Sequence, residues 1–435
     1  MTILGFIKKS TQWLSDLTVG GSWGRTLKKS IQRNLRWFWF DGFFASASDN
    51  ISVNFISLYI LSLGATEAQI GLMSSFSNIA AAILLLPGAL LAERTYHKKL
   101  ITLICMGGGA RLALLMLVFV PILFKGPNIV WIAIAFSVLR DSFNNFGFPA
   151  WMTVTNETVP MEGRGRYFGA RNFVMGITGM ITTLLAGKLI TMFVAPLGYQ
   201  VALGLAFVLG VSSTFSYAHI HEKAPSSTDD SRSRFSLRLL KQMFGRQPQF
   251  VALMITAAAW NFSMNISGPF FNVYMVKNLQ FSATAVGFLA VVSAFSSLAI
   301  QNKTGALADR VGARRLQLFS MFLIPLLPFA WIFATQIWHI VIINTFSGVF
   351  WGAFNLASFN LLLESIPQNQ VPRYSAIYQI VVTLSLAAGA LVGSAIISRW
   401  GFFAVCLASG IGRFLSSGLF AKIVHDTRKI PEMVN

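Results

Sequence analysis

Apolar runs of about 20 residues or more recur along this 435-residue chain, each long enough to cross a ~30 Å hydrocarbon core as a helix. A chain crossing lipid must satisfy its own backbone N–H and C=O groups, so such runs read as transmembrane helices. Spans are expected at about 37–62, 68–92, 100–124, 129–153, 168–194, 199–219, 250–276, 283–303, 316–336, 338–362, 374–398 and 402–424. Only 11% of the residues are charged, against roughly 25% in a soluble domain. The expected fold is therefore an all-α membrane protein with twelve transmembrane helices.

The net charge of +19 would suit a nucleic-acid binder, but the positions of the charges argue otherwise. With these spans, 27 of the 34 Lys and Arg fall on the side of the amino terminus, counting Arg171, Lys303 and Lys422 at span ends with that side. Three fall on the opposite side (Lys125, Lys277, Arg399) and four inside spans (Arg111, Arg140, Lys188, Arg413). That split places both termini in the cytoplasm of a multi-pass inner- or plasma-membrane protein. The basic excess is topology, and no nucleic-acid partner is expected.

Cys105 and Cys406 lie within spans and read as small buried apolar residues rather than a disulfide framework. Residues 1–36 lack the compact apolar core and cleavage site of a signal peptide. Ile3, Leu4, Phe6, Ile7, Trp13 and Leu14, interleaved with Lys8, Lys9 and Ser10, read as an amphipathic helix on the inner leaflet.

A Ser-, Lys- and Arg-rich break at 220–249 divides the chain into two six-helix bundles, 37–219 and 250–424, followed by a cytoplasmic tail at 425–435. The two halves repeat. GALADRVGARR (Gly305 to Arg315) stands between spans 8 and 9, and ALLAERTYHKK (Ala89 to Lys99) between spans 2 and 3. Glu93 and Arg94 align with Asp309 and Arg310, and Lys98-Lys99 with Arg314-Arg315. ETVPMEGRGRY (Glu157 to Tyr167) matches ESIPQNQVPRY (Glu364 to Tyr374), so that Arg166 aligns with Arg373.

On these loops the chain resembles the major facilitator superfamily over essentially its whole membrane region. The second-half loop matches the family signature G-x-L-A-D-R-x-G-x-R-R at every defining position. The first-half copy is degenerate: Glu93 replaces the acid, Tyr96 the second glycine, and the first glycine is displaced to Gly88. Arg140 resembles the arginine of the family's second signature. The Gly-Pro antiporter signature is missing from span 5, where Gly176, Gly179 and Gly187 lack an adjacent proline. That points away from the familiar kind of multidrug/proton antiporter.

The resemblance implies two pseudo-symmetric bundles around a central cavity lined by spans 1, 4, 7 and 10, and transport by alternating access. Polar stripes fall on those spans. Span 1 carries Ser46, Asn50, Asn54 and Ser57; span 4 carries Arg140, Asn144, Gly147 and Trp151; span 7 carries Asn261, Asn265, Gly268 and Asn272; span 10 carries Asn344, Gly348, Trp351 and Asn355. The last three share the offsets 0, 4, 7 and 11, which keep side chains on one face. Such residues either line a wet cavity or hydrogen-bond between packed helices.

Among the loop residues, an acid at a helix end can lock to neighbouring arginines and to a facing helix N-terminus. Glu93, Arg94, Glu157, Arg166, Gly305, Asp309, Arg310, Arg314, Glu364 and Arg373 are thus the candidate cytoplasmic gate, the alternative being tight turns that set topology. Within the spans the first half holds Asp41, Asp49, Asp141, Arg111 and Arg140, plus Lys188 near the outer end of span 5, and the second only Arg413. Asp49 and Arg140 both fall near mid-membrane, where a charge costs at least ~2.5–3.5 kcal/mol. Three acids against two central arginines leave one acid over. Asp49 is the expected proton or amine site with Arg140 as its switchable counter-ion, and Asp141 is the runner-up; a permanent Asp49–Arg140 strut is the alternative. Arg111 is expected to lie outside the cavity.

The function expected is secondary active transport of a small polar or amphipathic solute, with protons as the candidate coupling ion. The alternative is efflux of lipophilic compounds, or lipid flipping, on the same scaffold. No enzyme activity, cofactor or metal site is expected, since the five His are scattered and no His/Cys/Asp cluster has ligand spacing. The partners expected are the solute and the bilayer, with the chain acting as a monomer. Asp309→Asn should cut transport while sparing expression; unchanged uptake rates would remove the gate.

Overall fold

The computed structural model describes residues 17–222, 247–366 and 371–425, with the side chains of Asn302, Asp309, Val371, Pro372 and Arg373 outside the description. The amphipathic segment expected at Ile3 to Leu14, most of the central linker and the end of the tail also lie outside the described residues. The helices run α1 Lys29–Ser62, α2 Glu67–Arg94, α3 Lys98–Leu123, α4 Ile129–Thr158, α5 Arg164–Thr191 and α6 Leu197–Ala218. They continue as α7 Pro248–Lys277, α8 Ala283–Val311, α9 Ala313–Ile332 and α10 Ile337–Glu364. Residues 371–423 form one helical run broken at Gly401, whose φ of +74° only glycine adopts cheaply. Residues 371–400 and 402–423 are accordingly α11 and α12, completing the twelve helices.

Among the described residues nine helical stretches are long and apolar enough to span a membrane, one of them containing both α11 and α12. The two that fall short are α1 and α4. Both are long enough; what they lack is apolarity, because α1 carries Asp41, Asp49, Asn50 and Asn54, and α4 carries Arg140, Asp141, Asn144 and Asn145. Helices that break the hydropathy rule in this way must turn those groups to protein or water.

The described residues divide into two compact units. The first is drawn from Met1–Gly64, Ile83–Ser227 and Ser282–Phe288, the second from Ala65–Ala82, Thr228–Phe281 and Leu289–Asn435. Serine and threonine hydroxyls account for the exchanged pieces. In the second unit Ser75 Oγ donates to Ala387 O at 2.9 Å and Ser394 Oγ to Ala68 O at 2.7 Å, tying the start of α2 to α11. In the first unit Thr284 Oγ1 donates to Gly187 O at 3.0 Å, tying the start of α8 to α5. In lipid there is no hydrophobic drive between helices, so such bonds and small-residue contacts supply the cohesion.

The first unit is built on α1, whose neighbours bond to its backbone or side chains. Tyr167 Oη donates to Leu35 O at 2.6 Å, and Ser46 Oγ of α1 to Met175 O at 2.7 Å. Ser48 Oγ donates to Ala206 O at 2.7 Å, and the buried Tyr59 Oη to Leu117 O at 3.0 Å. Helix α3 is π-helical over Leu103–Gly109, a wide turn containing three consecutive glycines. Such insertions concentrate at functional sites because they re-aim the residues that follow.

The second unit pairs α7 with α11 and α12 at close range. Gly389 and Gly393 face the carbonyl oxygens of Phe262 and Ile266, where a Cβ would collide with backbone. Gly389→Ala should therefore cost roughly 1–3 kcal/mol through overpacking. Gly418→Ala meets nothing within 4 Å and should leave stability unchanged or slightly raised. Melting temperatures in detergent compare the two; a Gly389→Ala protein as stable as the parent would refute the close contact.

Candidate functional site

A cavity of about 440 Å³ opens within the first unit. Its walls follow from helical spacing. Asp41, Ala45 and Asp49 lie four residues apart along α1, and Arg140, Asn144, Phe148 and Trp151 share one face of α4. The π-helical turn of α3 presents Met106 and Gly107, and Arg111 follows about one turn beyond. Helix α5 adds Arg171 and Met175, and α6 adds Ser213 and Tyr217.

Two ionic groups occupy this cavity. Deeper in the protein, Asp41 Oδ2 lies 3.6 Å from Arg171, both side chains being buried, and Asp41 Oδ1 accepts a 2.7 Å hydrogen bond from Ser213. Arg171 Nε donates to Phe38 O at 3.1 Å, and its guanidinium sits 4.1 Å from the centroid of the Phe38 ring. Both side chains are buried apart from the edge that meets the cavity, so the pair reads as a strut between α1 and α5.

The second group is arranged differently. Asp49 Oδ1 lies 3.5 Å from Arg111 and 3.6 Å from Arg140, and Arg140 also holds Asp141 at 2.9 Å. The Asp49 side chain is 50% exposed, whereas Arg111 and Arg140 are 10% and 8% exposed. One accessible carboxylate thus sits between two buried cations. Arg111 is further held by a 3.0 Å bond to Ser48 Oγ. The Nε atoms of Arg111 and Arg140 are buried without a hydrogen-bond partner among the described residues.

These positions correct two expectations. Arg111 lines the cavity beside Asp49 instead of lying outside it. The count of three acids against two arginines also fails: Arg171, assigned to the cytoplasmic margin, is buried beside Asp41 and makes three against three. A span-end assignment from hydropathy misplaced it, although Asp41 and Arg171 in facing spans were the available signal. Arg140 does meet Asp49, as expected, but binds Asp141 at shorter range.

The polar stripes divide. Asn144 and Trp151 line the cavity. Asn50 donates to Ser46 O at 2.9 Å and Asn54 to Asn50 O at 2.8 Å, back along their own helix, and neither lines the cavity. In the second unit Asn261 likewise donates to Ala257 O at 2.8 Å. Asn265 donates to Leu386 O at 2.7 Å and Asn344 to Leu289 O at 3.0 Å, which is bonding between helices. Trp351 packs against Trp260 and Phe354, and Asn355 is exposed.

The loop repeat has a structural counterpart. Arg314 donates to Val424 O at 2.6 Å and Ala421 O at 3.1 Å, capping the end of α12, and Lys99 Nζ donates to Ala218 O at the end of α6. Basic residues of the two loops, one position apart in the alignment, thus satisfy the orphan carbonyls of equivalent helices. Glu157 pairs with Lys98 at 2.8 Å inside the first unit. Glu93, Arg94, Arg166, Arg310 and Glu364 are exposed and Gly305 half-buried, while the side chains of Asp309 and Arg373 lie outside the description.

Twelve helices in two repeated units and a charged cavity in apolar surroundings define a membrane transporter. The sequence profile of the Major Facilitator Superfamily matches residues 38–274 and 253–432, and the chain belongs to that family. It is 25% identical over 390 residues to the multi-drug resistance efflux pump PmrA of Streptococcus pneumoniae, covering 87% of this chain and 92% of that protein. It is 24% identical to the multidrug resistance protein MdtG of Salmonella dublin, covering 88% and 93%. Among solved structures, the nucleoside transporter NupG superimposes with a TM-score of 0.69 at 13% identity, covering 90% of this chain and all of the other. A D-xylose-proton symporter superimposes with a TM-score of 0.65 at 13% identity, covering 91% and 98%.

Removing one partner of the buried strut should be more damaging than removing both. Arg171→Ala strands Asp41 and is expected to cost ~3–5 kcal/mol, while Asp41→Asn/Arg171→Gln recovers most of it. Thermal unfolding of both variants in detergent tests this; a double variant no better than the single would deny the pairing.

Proposed function

We propose that this protein couples transport of an amphipathic solute to protons, with Asp49 as the coupling carboxylate and Arg111 and Arg140 as its counter-ions. One observation carries the proposal: an accessible acid shared between two buried arginines. As drawn, Asp49, Asp141, Arg111 and Arg140 sum to zero charge. A proton on Asp49 frees Arg111 and one side of the Arg140 guanidinium toward the cavity and leaves the cluster with a net positive charge. A solute that binds together with the proton then carries an anionic group, held by the arginines. Its apolar part meets Met106, Met175, Phe148 and Trp151. Asp141, bonded to Arg140, keeps that arginine in place when Asp49 is neutral, and Asn144 supplies an amide beside it.

A second reading is export of lipophilic compounds in exchange for protons. It is favoured by the relatives, the efflux pump PmrA and the multidrug resistance protein MdtG, and by the methionine and aromatic walls of the cavity. In either case both termini are assigned to the cytoplasm from the charge asymmetry, and the chain acts as a monomer without catalysis. The bundles 37–219 and 250–424 are the moving bodies, and the loop residues Glu93, Glu157, Asp309, Arg310, Glu364 and Arg373 form the gate. Asn50, Asn54, Asn261, Asn265, Trp351 and Asn355 remain candidates for the solute path in a state other than this one.

Proteoliposomes carrying a pH dye separate the readings. Entry of an amphipathic organic anion with acidification of the lumen supports co-transport, and alkalinisation supports exchange. Asp49→Asn should abolish proton-driven accumulation while Arg111→Gln weakens solute binding about tenfold or more, as expected for a lost charge-assisted bond. Full proton-driven accumulation by Asp49→Asn would eliminate Asp49 as the coupling site.

A further inference from the structure

We infer that the first three turns of α1 form a binding site for the headgroup of an anionic phospholipid. A recess of about 550 Å³, separate from the transport cavity, is lined by Lys29, Gln32, Arg33, Arg36, Trp37 and Phe40. The intervals between these residues are those of a single helical face. The face is divided along its length. Lys29, Arg33 and Arg36 occupy the outer two turns, and no carboxylate is among the described residues that line the recess. Trp37 and Phe40 follow toward the apolar part of the helix.

The site is built rather than a scatter of surface lysines. Gln32 Nε2 donates to Arg25 O at 3.0 Å and to Leu27 O at 2.8 Å, which fastens the segment before α1 against its first turns. Trp23 in that segment wedges against Gly163, where no side chain larger than hydrogen fits, and so anchors the segment to the loop before α5. On the other side Trp37 stacks on His219 with ring centroids 4.5 Å apart and meets Phe215 edge-on at 6.3 Å. Phe40 and Phe215 are 40% and 60% exposed, an apolar surface beside the cations.

Cations above indole and phenyl rings match a phospholipid at the membrane interface. The phosphate lies among the basic side chains, Trp sits at the headgroup boundary, and the acyl chain runs over the exposed phenyl rings. A free phosphate shares the charge but has no use for the apolar half of the site. The same helix carries Asp41 and Asp49 further along, so the lipid would fix the end of the element that holds the coupling acid. The inner-leaflet assignment rests on the cytoplasmic placement of the amino terminus proposed above.

Trp37 is itself the reporter. The full chain is reconstituted in vesicles of phosphatidylcholine and phosphatidylglycerol of one composition, with bromine on the acyl chains of one lipid or the other. The Trp37 signal is the difference between the parent and Trp37→Phe. Brominated phosphatidylglycerol should be enriched at Trp37 by about fivefold or more over its bulk share, about the factor per engaged cation. Lys29→Gln/Arg33→Gln/Arg36→Gln should abolish the enrichment, and salt should reduce it. Equal quenching by the two brominated lipids overturns the site, as does enrichment that persists in the triple variant. If inorganic phosphate displaces brominated phosphatidylglycerol from Trp37, the ligand is a soluble anion and the lipid assignment fails. The vesicles carry phosphatidylglycerol in both leaflets, so this result stands apart from topology. Labelling of Lys28→Cys with an impermeant maleimide in cells reads the side independently.

Discussion

A charge inside a hydrocarbon slab is held only if an opposite charge or a full set of dipoles stands within reach, and the first unit is arranged around that requirement. Six ionic groups converge on one cavity, carried by α1, α3, α4 and α5. The pair Asp41–Arg171 is sealed by Ser213, Phe38 and the backbone, and behaves as part of the scaffold. The group of Asp49, Arg111, Arg140 and Asp141 is open on one side, because Asp49 remains half exposed while its arginines are buried. The same neutralisation rule thus yields a strut at one level of α1 and an accessible acid between two buried arginines two turns further along.

The second unit meets the constraint in another way. Its buried Arg413 bonds to Met264 O at 3.2 Å and Ser267 Oγ at 3.0 Å, so dipoles rather than a carboxylate receive it. Beside it, Ser267 Oγ donates to Ser409 Oγ, which donates in turn to the Ser263 carbonyl oxygen, linking α7 to α12. The two units divide the labour: ionic groups in the first, close glycine and serine packing in the second. The basic pairs of the duplicated loops keep a shared task, since Lys99 of one and Arg314 of the other, offset by one position, cap the ends of α6 and α12. That task explains part of the loop signature by helix termination alone, apart from any gate.

Much of the fold was legible in residue order. Apolar runs, the loop repeats and the charge asymmetry specify twelve helices in two halves, because a membrane admits few alternatives to a helix of fixed length. The site was legible in part. Asp49, Arg140, Asp141, Asn144 and Trp151 stand out as polar groups in apolar spans, and each lines the cavity or borders it. Arg111 was misread because its place depends on the π-helical turn before it, which shifts its direction in a way no helical periodicity reports. Arg171 was misread because hydropathy sees it at a span end, while its burial depends on the partner Asp41.

The amino-acid sequence by itself determined the class of fold, the family and the confinement of acids within the spans to the first half. All three follow from local composition and short motifs acting against a lipid solvent. Only the tertiary structure decided which acid is sealed and which is shared between two arginines. It also decided that Asn265 and Asn344 hydrogen-bond to neighbouring helices, and that a basic recess stands beside Trp37. Such distinctions depend on distances of a few ångströms between helices far apart in the chain, and side-chain identity does not encode them one residue at a time.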